Sequence, residues 1–541
     1  MALPPPPRSH SLAANSASSP GAREFRYDEF QRAVISCNDK NIVAEARAGA
    51  GKTTTAIGFT EARKSAKFLY VCFGKSNQVE AATRFGPHVE CRTGNSLAYG
   101  AVGYKFKDQL ALKSWSIRDF AAQLRLPNIR TAAIIQAVLT QYFTSVDLTL
   151  SHMHVAGVAS KWSITPDEID LLLAQSKLAW SKMQQVGSGV SMPHDAYFKM
   201  WALSNPRLLK YSHIILDEGQ DTNPVMARIV EQQTHARKLL IGDRHQSIFL
   251  FRGALNAMEQ FAASGATVFQ MPQTWRFGPK IAHVANELLG FFKAEEVKII
   301  GAGPATAKRP ENKRVVLSRT NAGLYAEAAA VLGKNTHWLG GVEQYRLDAL
   351  VDSYMLKTNR RSEIRDPSLR SFQSWQQYKD EAEISSNGEA KMLIKLNEQY
   401  DKDIPYLVKC FRANALITES GANLVLSTAH KAKGFDWDVV KIGEDFDCTT
   451  KALNDMKLSP QLPLSAAHAQ EINLLYVAVT RARHTLDLNV ETTNFLKNIV
   501  RHRGELQEAL AKSVKLNAPS HAAAAFSDPE EVAQPAEHPT A

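Results

Sequence analysis

Residues 46–53 have the side chains and spacing that a phosphate-binding loop requires. The segment reads ARAGAGKT and directly follows a predicted strand. Gly49 and Gly51 would allow backbone N–H groups to turn towards phosphate oxygens. Lys52 would contact the outer phosphates, and Thr53 would offer a hydroxyl to Mg²⁺. A flexible turn between a strand and a helix is the simpler alternative, but it does not require the Gly-Lys-Thr triplet. The segment therefore predicts a site for a nucleoside triphosphate with Mg²⁺.

Two adjacent acids at the end of another predicted strand indicate what happens to that nucleotide. The strand at 212–218 reads SHIILDE and ends in Asp217 and Glu218. Asp217 could hold Mg²⁺, and Glu218 could polarise an attacking water. A kinase would instead need a pocket for an acceptor substrate. Two solvated acids are the alternative, but beside a phosphate-binding loop the pair favours hydrolysis.

Three further side chains could complete a hydrolytic site. Gln246 follows a third predicted strand and could sense the γ-phosphate. Arg276 and Arg481 could stabilise charge in the transition state, an effect of about 10³–10⁵ in rate for an arginine finger. Taken singly, a loop glutamine is usually a turn residue and an arginine usually pairs with a surface acid. Their neighbouring sequence is what favours a functional role.

The composition is that of a globular protein, and it excludes several classes. Of the 541 residues, 44% are hydrophobic and 22% are charged, as in ordinary folded chains. No apolar run reaches the roughly 18 residues that a membrane-spanning helix needs. The five cysteines are far apart and form no CxxC pair. This argues against a local zinc or iron–sulfur motif and fits a reducing, intracellular compartment.

The charge distribution favours a polyanionic partner. The formal net charge is +10, although residues 516–541 contain four acids and neither Lys nor Arg. Without that −4, residues 1–515 carry +14. Residues 1–24 are rich in Pro, Ser and Ala, a composition that cannot build a core. We therefore expect a basic folded body between two disordered tails, at 1–24 and 516–541.

Short apolar runs alternate with helical patterns, which predicts an α/β architecture with parallel sheets. We expect helices at 276–292 and 323–333, and a mostly helical insertion at 101–205. The predicted strands are 41–46, 67–73, 212–218, 238–243, 314–320, 423–428 and 485–490.

The ordered motifs resemble those of superfamily 1 DNA helicases of the UvrD/Rep type. Their wording is most similar to the F-box DNA helicase branch, for example in TWRFG and NLLYVAVTRAR. The Pro-rich N-terminus shows no F-box-like segment, so a ubiquitin-ligase role is not carried over. The matching segments are YDEFQRAV (27–34), ARAGAGKTTT (46–55), VCFGKSNQ (71–78), TGNSLA (93–98), LDEGQD (216–221), GDRHQSIFLFRGA (242–254), QTWRFG (273–278), STAHKAKGFDWDVV (427–440) and EINLLYVAVTRAR (471–483).

The resemblance implies two tandem RecA-like P-loop domains, each interrupted by an insertion. The second insertion is much shorter than the 2B domain of many relatives, so regulation by a full rotating 2B domain is not assumed. The implied division is motor domain 1A at 25–100 and 206–275, helical insertion 1B at 101–205, motor domain 2A at 276–356 and 424–515, and a reduced 2B-like insertion at 357–423.

The resemblance also implies a role for each matching residue of the nucleotide site. ATP would be the nucleotide, Asp217 and Thr53 the metal ligands, and Glu218 the base. Trp275 stands where many relatives have Tyr, and either ring could stack on adenine. Asp436 replaces a Glu that is expected to touch the ribose. The implied catalytic set is Lys52, Asp217, Glu218, Gln246, Arg276 and Arg481, and the implied ATP-binding set is Gln31, Ala48, Gly49, Ala50, Gly51, Lys52, Thr53, Thr54, Trp275 and Asp436.

The implied partner is single-stranded DNA and its junctions with duplex, with no membrane and with protein partners left open. Aromatic platforms with phosphate contacts bind single strands without reading their sequence. Each aromatic could instead be a core residue, and Phe251 with Arg252 is the pair that we favour. The mixed-charge stretch at 357–423 is open between a DNA contact and a solvated surface. The implied DNA-binding residues are Phe73, Thr93, Asn95, Phe251, Arg252 and His430.

The resulting hypothesis is an ATP-dependent 3′→5′ DNA helicase or translocase acting in DNA repair, recombination or replication. Two alternatives stay open: a translocase that strips bound proteins but unwinds little, and an ATP-gated DNA-binding protein with weak hydrolysis. The expected location is the cytoplasm with the nucleoid in a bacterium, or the nucleus in a eukaryote.

Overall fold

The computed structural model describes residues 26–111, 115–249, 256–305, 314–384 and 388–517. Side chains are not described for Ser160 and for residues 512–517. The predicted tail at 1–24 lies outside these ranges, as does most of the tail predicted at 516–541. Phe251 and Arg252 also lie outside the described residues.

The first part of the chain forms a six-stranded parallel sheet with the order β3-β2-β4-β5-β1-β6. Its alternate residues enter two cores, with Val43 and Leu69 on one face and Ile42 and Phe68 on the other. Strands covered on both faces read as continuous apolar runs. The strands are β1 (Asn41–Ala46), β2 (Phe68–Cys72), β3 (Val89–Thr93), β4 (His213–Asp217), β5 (Arg237–Gly242) and β6 (Thr267–Met271).

A second six-stranded parallel sheet has the order β11-β10-β12-β9-β13-β14. It too is covered on both faces, with Val425 in one core and Leu424 in the other. A two-stranded pair, β7 (Gln273–Thr274) and β8 (Ile300–Gly301), precedes it in the chain. The strands of the second sheet are β9 (Arg314–Ser318), β10 (Thr336–Trp338), β11 (Ala415–Leu416), β12 (Leu424–Thr428), β13 (Trp437–Ile442) and β14 (Ala482–Asp487).

Helices cover both sheets and fill the sequence between them. Within the described ranges, no helix is both long and apolar enough to cross a bilayer. The α-helices are α1 (Glu29–Ser36), α2 (Lys52–Glu61), α3 (Lys75–Arg84), α4 (Gly94–Ala101), α5 (Ile117–Leu124), α6 (Ile129–Thr144), α7 (His152–Trp162), α8 (Pro166–Met183), α9 (His194–Leu203), α10 (Pro224–Glu231), α11 (Ala257–Ala263), α12 (Pro279–Phe292), α13 (Asn321–Ala329), α14 (Leu347–Lys357), α15 (Pro367–Arg370), α16 (Trp375–Ile384), α17 (Gly388–Tyr400), α18 (Ile404–Ala413), α19 (Cys448–Leu458), α20 (Ala466–Val479), α21 (Val490–Lys497) and α22 (Ile499–Asn517).

The predicted α/β architecture with parallel sheets is confirmed, and it is consistent with two RecA-like domains. Between β3 and β4 the described residues form helices α4 to α9 and their connections, with one isolated bridge between Leu110 and Met192. These helices share one core with a face of the first sheet. Helices α14 to α18 lie between β10 and β11. The domain boundaries themselves stay a prediction.

The strand predicted at 485–490 is wrong by three residues. The observed β14 begins directly after Arg481 and ends at Asp487. Asn489 instead caps α21, because its side chain accepts the backbone N–H of Thr492 at 3.1 Å. A capping side chain stabilises a helix start in place of a strand end. Helix α12 likewise begins at Pro279 and not at 276, since proline favours the first helical turn.

Trp338 offers a test of the core of the second sheet. Its ring is 1% exposed and its centroid lies 5.1 Å from that of Tyr345 and 5.7 Å from that of Phe411. Trp338→Ala should lower the free energy of unfolding by about 3–5 kcal/mol, because it leaves a large cavity. Urea denaturation followed by circular dichroism measures this. Ile417→Ala, at a side chain that is 89% exposed, is the matched control, and equal losses in both variants would contradict the assignment.

Candidate nucleotide site and nucleic-acid track

The phosphate-binding loop turns at two glycines. Gly49 and Gly51 have φ angles of +77° and +78°, in the left-handed region that favours glycine. A Cβ on Gly51 would lie 2.5 Å from Nε2 of Gln31, and one on Gly49 would lie 2.5 Å from Oγ1 of Thr274. Gly51 is the residue before α2, so the free N–H groups of that helix follow it directly. This arrangement is suited to an anion.

Lys52 and the two acids of β4 form one buried charged cluster. Lys52 Nζ lies 2.6 Å from Oε1 of Glu218. Asp217 accepts a hydrogen bond from the Tyr70 hydroxyl and another, of 2.9 Å, from the backbone N–H of Glu218. Burial raises the pKa of Asp217, and the neighbouring Glu218 adds to this. Burial alone would also raise the pKa of Glu218, but the charges of Lys52 and Lys433 lower it below its usual range.

The Glu218 backbone is left-handed, with φ of +52°. This conformation costs about 1–2 kcal/mol for a residue other than glycine. This conformation turns the chain immediately after β4. One carboxylate oxygen of Glu218 then accepts a hydrogen bond from Lys52 at 2.6 Å, and the other accepts one from Gln220 at 2.5 Å. Strain of this kind concentrates at functional sites.

The donor set fits a magnesium ion. Thr53 lies in the first turn of α2, and Asp217 ends β4. Their hydroxyl and carboxylate oxygens are hard ligands. Within the described ranges there is no cluster of three or more His, Cys, Asp or Glu for a metal, but Mg²⁺ is usually held by one or two carboxylates together with substrate phosphates. When bound, the ion would neutralise phosphate charge.

Gln246 and Arg481 meet between the two sheets. Arg481 Nη2 lies 3.4 Å from Oε1 of Gln246, whose Nε2 donates to Asp243 at 2.8 Å. Arg481 is 1% exposed. Burial, with repulsion from Arg276, lowers the pKa of Arg481 to about 9. The predicted γ-phosphate sensor and one predicted arginine finger are therefore brought together.

Arg276 lies beside them. Its Nη1 donates to the backbone oxygen of Thr480 at 3.2 Å, and its Nε lies 3.5 Å from Oδ2 of Asp436. Burial lowers the pKa of Arg276. Asp436, the predicted ribose contact, is also bound by both arms of Arg483.

The predicted adenine residues Trp275 and Gln31 lie next to the phosphate-binding loop. Trp275 is 51% exposed, its backbone N–H donates to Gly49 at 3.1 Å, and its indole N–H donates to Asp28 at 3.3 Å. Gln31 Nε2 donates to the backbone oxygen of Ala50 at 3.3 Å. An exposed ring and an amide next to the loop could bind a base. Thr54 is half-buried in the first turn of α2.

The structure adds residues that the sequence interpretation missed. Lys433 forms ion pairs with Asp221 and, at 3.4 Å, with Glu218. Tyr476 donates to Asp243 at 2.9 Å and accepts the backbone N–H of Ala48 at 3.3 Å. The signals in the sequence are the second lysine of AHKAKG and the tyrosine of NLLYVAV. Both lie inside the recognised motifs, but the motifs alone suggested no role for them.

Three aromatic rings form a row that crosses from the first sheet to the second. Phe73 stacks on Phe249 with ring centroids 5.5 Å apart, and Phe249 lies 6.4 Å from His430. Phe73 is 44% exposed. Phe249 was not predicted, although it stands in the same QSIFLFRG segment as the favoured Phe251. We call Phe73, Phe249 and His430 the aromatic row.

The other predicted DNA residues have different surroundings. Asn95 is exposed on α4. Thr93 caps that helix, because its Oγ1 accepts the backbone N–H of Ser96 at 3.0 Å, so its hydroxyl is engaged in the fold. A cavity of about 560 Å³ continues the aromatic row on the second sheet; it is lined by Phe249, Arg319, His430, Lys431, Gln470, Glu471 and Leu474.

Three comparisons bear on identity. Residues 196–263 match the family described as UvrD/REP helicase N-terminal domain. The chain is 29% identical over 470 residues to F-box DNA helicase 1 of Gallus gallus, a match covering 81% of this chain and 46% of that protein. It is 28% identical over 508 residues to F-box DNA helicase protein 1 of Schizosaccharomyces pombe, a match covering 85% of this chain and 57% of that protein. The chain thus spans about half the length of these curated relatives. The resemblance predicted from the motifs is confirmed.

Lys431 predicts a pH dependence of strand binding. Its Nζ lies 3.7 Å from the centroid of the Tyr345 ring, and burial lowers its pKa to about 8. The amine is mainly charged at pH 7 and mainly neutral at pH 9, so affinity for single-stranded DNA should fall about three- to tenfold over this range. Anisotropy titration at constant ionic strength measures it. Lys431→Arg stays charged and should lose much less affinity. Identical pH profiles for both proteins would show that titration of Lys431 does not contribute to DNA binding.

Proposed function

We propose that this chain, which belongs to the UvrD-like superfamily 1 helicases, is an ATP-dependent motor that moves on single-stranded DNA. The observation that carries this is one loop, residues 243–249, which contains Gln246 near the nucleotide cluster and Phe249 in the aromatic row. A change at the γ-phosphate can therefore reach the bound DNA strand through the backbone of the two residues between Gln246 and Phe249.

The loop is held from the second sheet as well as from the first. Helix α20 contributes two amides, with Asn473 donating to the backbone oxygen of Ser247 and Gln470 to that of Ile248, both at 2.9 Å. Lys433 donates to the backbone oxygen of Gln246 at 2.8 Å. Relative motion of the two sheets would thus act on the loop directly, which supports stepping by closure and opening of the cleft.

The chemistry assigned to each group follows from its position. Lys52 and the N-terminus of α2 would bind the phosphates with Mg²⁺ on Asp217 and Thr53, and Glu218 would accept a proton from the attacking water. Lys52 must then exchange Glu218 for phosphate oxygens. Arg276 and Arg481 would stabilise the negative charge that develops on the transferred phosphoryl group.

The nucleic-acid side is proposed from the aromatic row and the cavity that extends it. Every base has a flat face that can stack on an aromatic ring, so such a row binds without reading sequence. The names of the two long relatives, both DNA helicases, support DNA as the polymer. The 3′→5′ direction and a place in DNA repair, recombination or replication follow from the resemblance.

Lys52→Ala tests the nucleotide site. Loss of the amine removes the charge that would bind the outer phosphates, so DNA-stimulated ATP hydrolysis should fall by at least about 10²-fold. Phosphate release measures this. Lys64→Ala, at a lysine that is 72% exposed in its side chain, is the control and should retain normal turnover. Circular dichroism should be unchanged in both, and normal hydrolysis by Lys52→Ala would refute the assignment.

Phe249→Ala tests the coupling through the loop. Removing one stacking ring should weaken single-strand binding by about 1–3 kcal/mol and raise the DNA concentration for half-maximal ATPase stimulation. Tyr406→Ala is the matched control, because Tyr406 is 63% exposed on a helix outside the aromatic row. If Phe249→Ala and Tyr406→Ala need the same concentration of single-stranded DNA for half-maximal ATPase stimulation, the aromatic row is not the DNA-binding surface.

Two assays separate the proposed motor from its alternatives. Strand displacement from a tailed duplex, run beside displacement of streptavidin from a biotinylated single strand, distinguishes a helicase from a protein-stripping translocase. ATPase assays with single-stranded DNA, duplex DNA and RNA as separate stimulants identify the polymer. If no polymer stimulates hydrolysis while ATP still alters DNA affinity, the ATP-gated binding protein is the better description.

A further inference from the structure

Three arginines cluster around one carboxylate at the nucleotide site, and a second carboxylate, Asp438, lies 3.7 Å from Arg483. Arg276, Arg481 and Arg483 surround Asp436. Among the residues described, Asp436 is the acid that pairs with Arg276, at 3.5 Å. Arg481 approaches the same segment through Nη1, which donates to the backbone oxygen of Phe435 at 3.2 Å. The cluster therefore has an excess of positive charge that Asp436 and the more distant Asp438 only partly offset.

Arg483 binds Asp436 in a two-armed geometry. Its Nε lies 2.7 Å from Oδ2 and its Nη2 lies 3.0 Å from Oδ1. Parallel contacts of this kind fix the plane of a carboxylate as well as its distance. The backbone beside it is fixed too, because the N–H of Trp437 donates to the backbone oxygen of Arg481 at 2.9 Å. Both the side chain and the main chain of Asp436 are thus held.

The orientation of Asp436 is directed at arginines. Oδ2 accepts from Arg483 and faces Arg276, while Oδ1 accepts from Arg483. The positive charge of Arg276 stabilises the ionised carboxylate of Asp436, and that carboxylate in turn stabilises the charged guanidinium of Arg276. A γ-phosphate would offer Arg276 a second, more highly charged set of oxygens.

On the basis of the ATPase proposed above, we propose that Asp436 is the counter-ion of Arg276, that Arg483 positions it, and that the γ-phosphate competes with this carboxylate for the Arg276 guanidinium. Asp436 then tunes how strongly the site distinguishes a nucleoside triphosphate from a diphosphate. Such a role differs from the ribose contact implied by the resemblance.

The two roles predict opposite signs. If Asp436 competes with the γ-phosphate, removing its charge frees Arg276 and tightens the binding of triphosphate alone. If Asp436 holds the ribose, removing its charge weakens triphosphate and diphosphate alike, because both have the same sugar. Asp436 is 27% exposed in its side chain, so solvent screens the pair and the change should be moderate.

The experiment compares Asp436→Asn with the unaltered full chain. Titration with fluorescent mant-AMPPNP and mant-ADP, each with Mg²⁺, measures the two dissociation constants without turnover. We expect the constant for mant-AMPPNP to fall about three- to tenfold, which is ~0.7–1.4 kcal/mol, and that for mant-ADP to change less than about twofold.

Three further variants distinguish positioning from general damage. Arg483→Gln should leave Asp436 to Arg276 alone, so triphosphate affinity should weaken while diphosphate affinity stays constant. Asp436→Glu keeps the charge and should restore the normal ratio of the two constants. Asp438→Asn is the matched control, since Asp438 is on the same strand and lies 3.7 Å from Arg483, and it should leave both constants unchanged.

Each remaining outcome overturns the inference. Equal weakening of both nucleotides by Asp436→Asn, with lost preference for ATP over 3′-deoxy-ATP, would establish the ribose contact instead. Unchanged constants with an unchanged melting temperature would show that the carboxylate has no part in nucleotide binding. If the unaltered chain binds neither nucleotide, the proposed function fails, and that result is distinct from normal binding with an unaffected variant.

Discussion

Compensation of buried charge at the carboxyl ends of the two sheets determines how the two halves of the molecule fit together. Lys433 belongs to the second half, yet its partners Glu218, Asp221 and the backbone oxygen of Gln246 belong to the first. Its side chain is 13% exposed. A charge so far from water needs a partner, and each half holds the partners of the other. Separation of the halves would leave charges on both sides uncompensated.

The same constraint explains why the nucleotide cluster and the aromatic row are neighbours. Asp221 pairs with Lys433, and Lys433 Nζ also lies 5.5 Å above the ring of Phe249. One ammonium group therefore contacts the acidic end of the first sheet and a ring of the aromatic row. Because parallel strands bring their carboxyl ends to one edge, the loops that bind phosphate and the loops that carry exposed rings begin at the same edge of each sheet.

The sequence predicted the elements whose signal is local. Interior strands such as β2 and β12 are buried at every residue, so their apolar runs stand out. The edge strands β3 and β6 are only partly buried and contain polar residues, and they were missed. Strands β10, β11 and β13 were also missed, because β10 and β11 are only three and two residues long and β13 is only partly buried. The phosphate-binding loop was recognisable because its function depends on adjacent residues.

Residues that act across the interface were harder to identify. Phe249 and Lys433 owe their roles to partners that are far away in the sequence. A single sequence does not show which distant residues come together in space. Such positions depend on how two sheets are juxtaposed, which periodicity within either sheet does not determine.

The left-handed backbone at Glu218 sets folding and chemistry against each other at one position. Glycine would adopt that conformation without steric cost. Glycine has no carboxylate, however, and the contacts to Lys52 and Gln220 would be lost with it. A glutamate in this conformation therefore offsets its backbone cost through contacts that glycine cannot make, and it places a carboxylate where the proposed hydrolysis needs one.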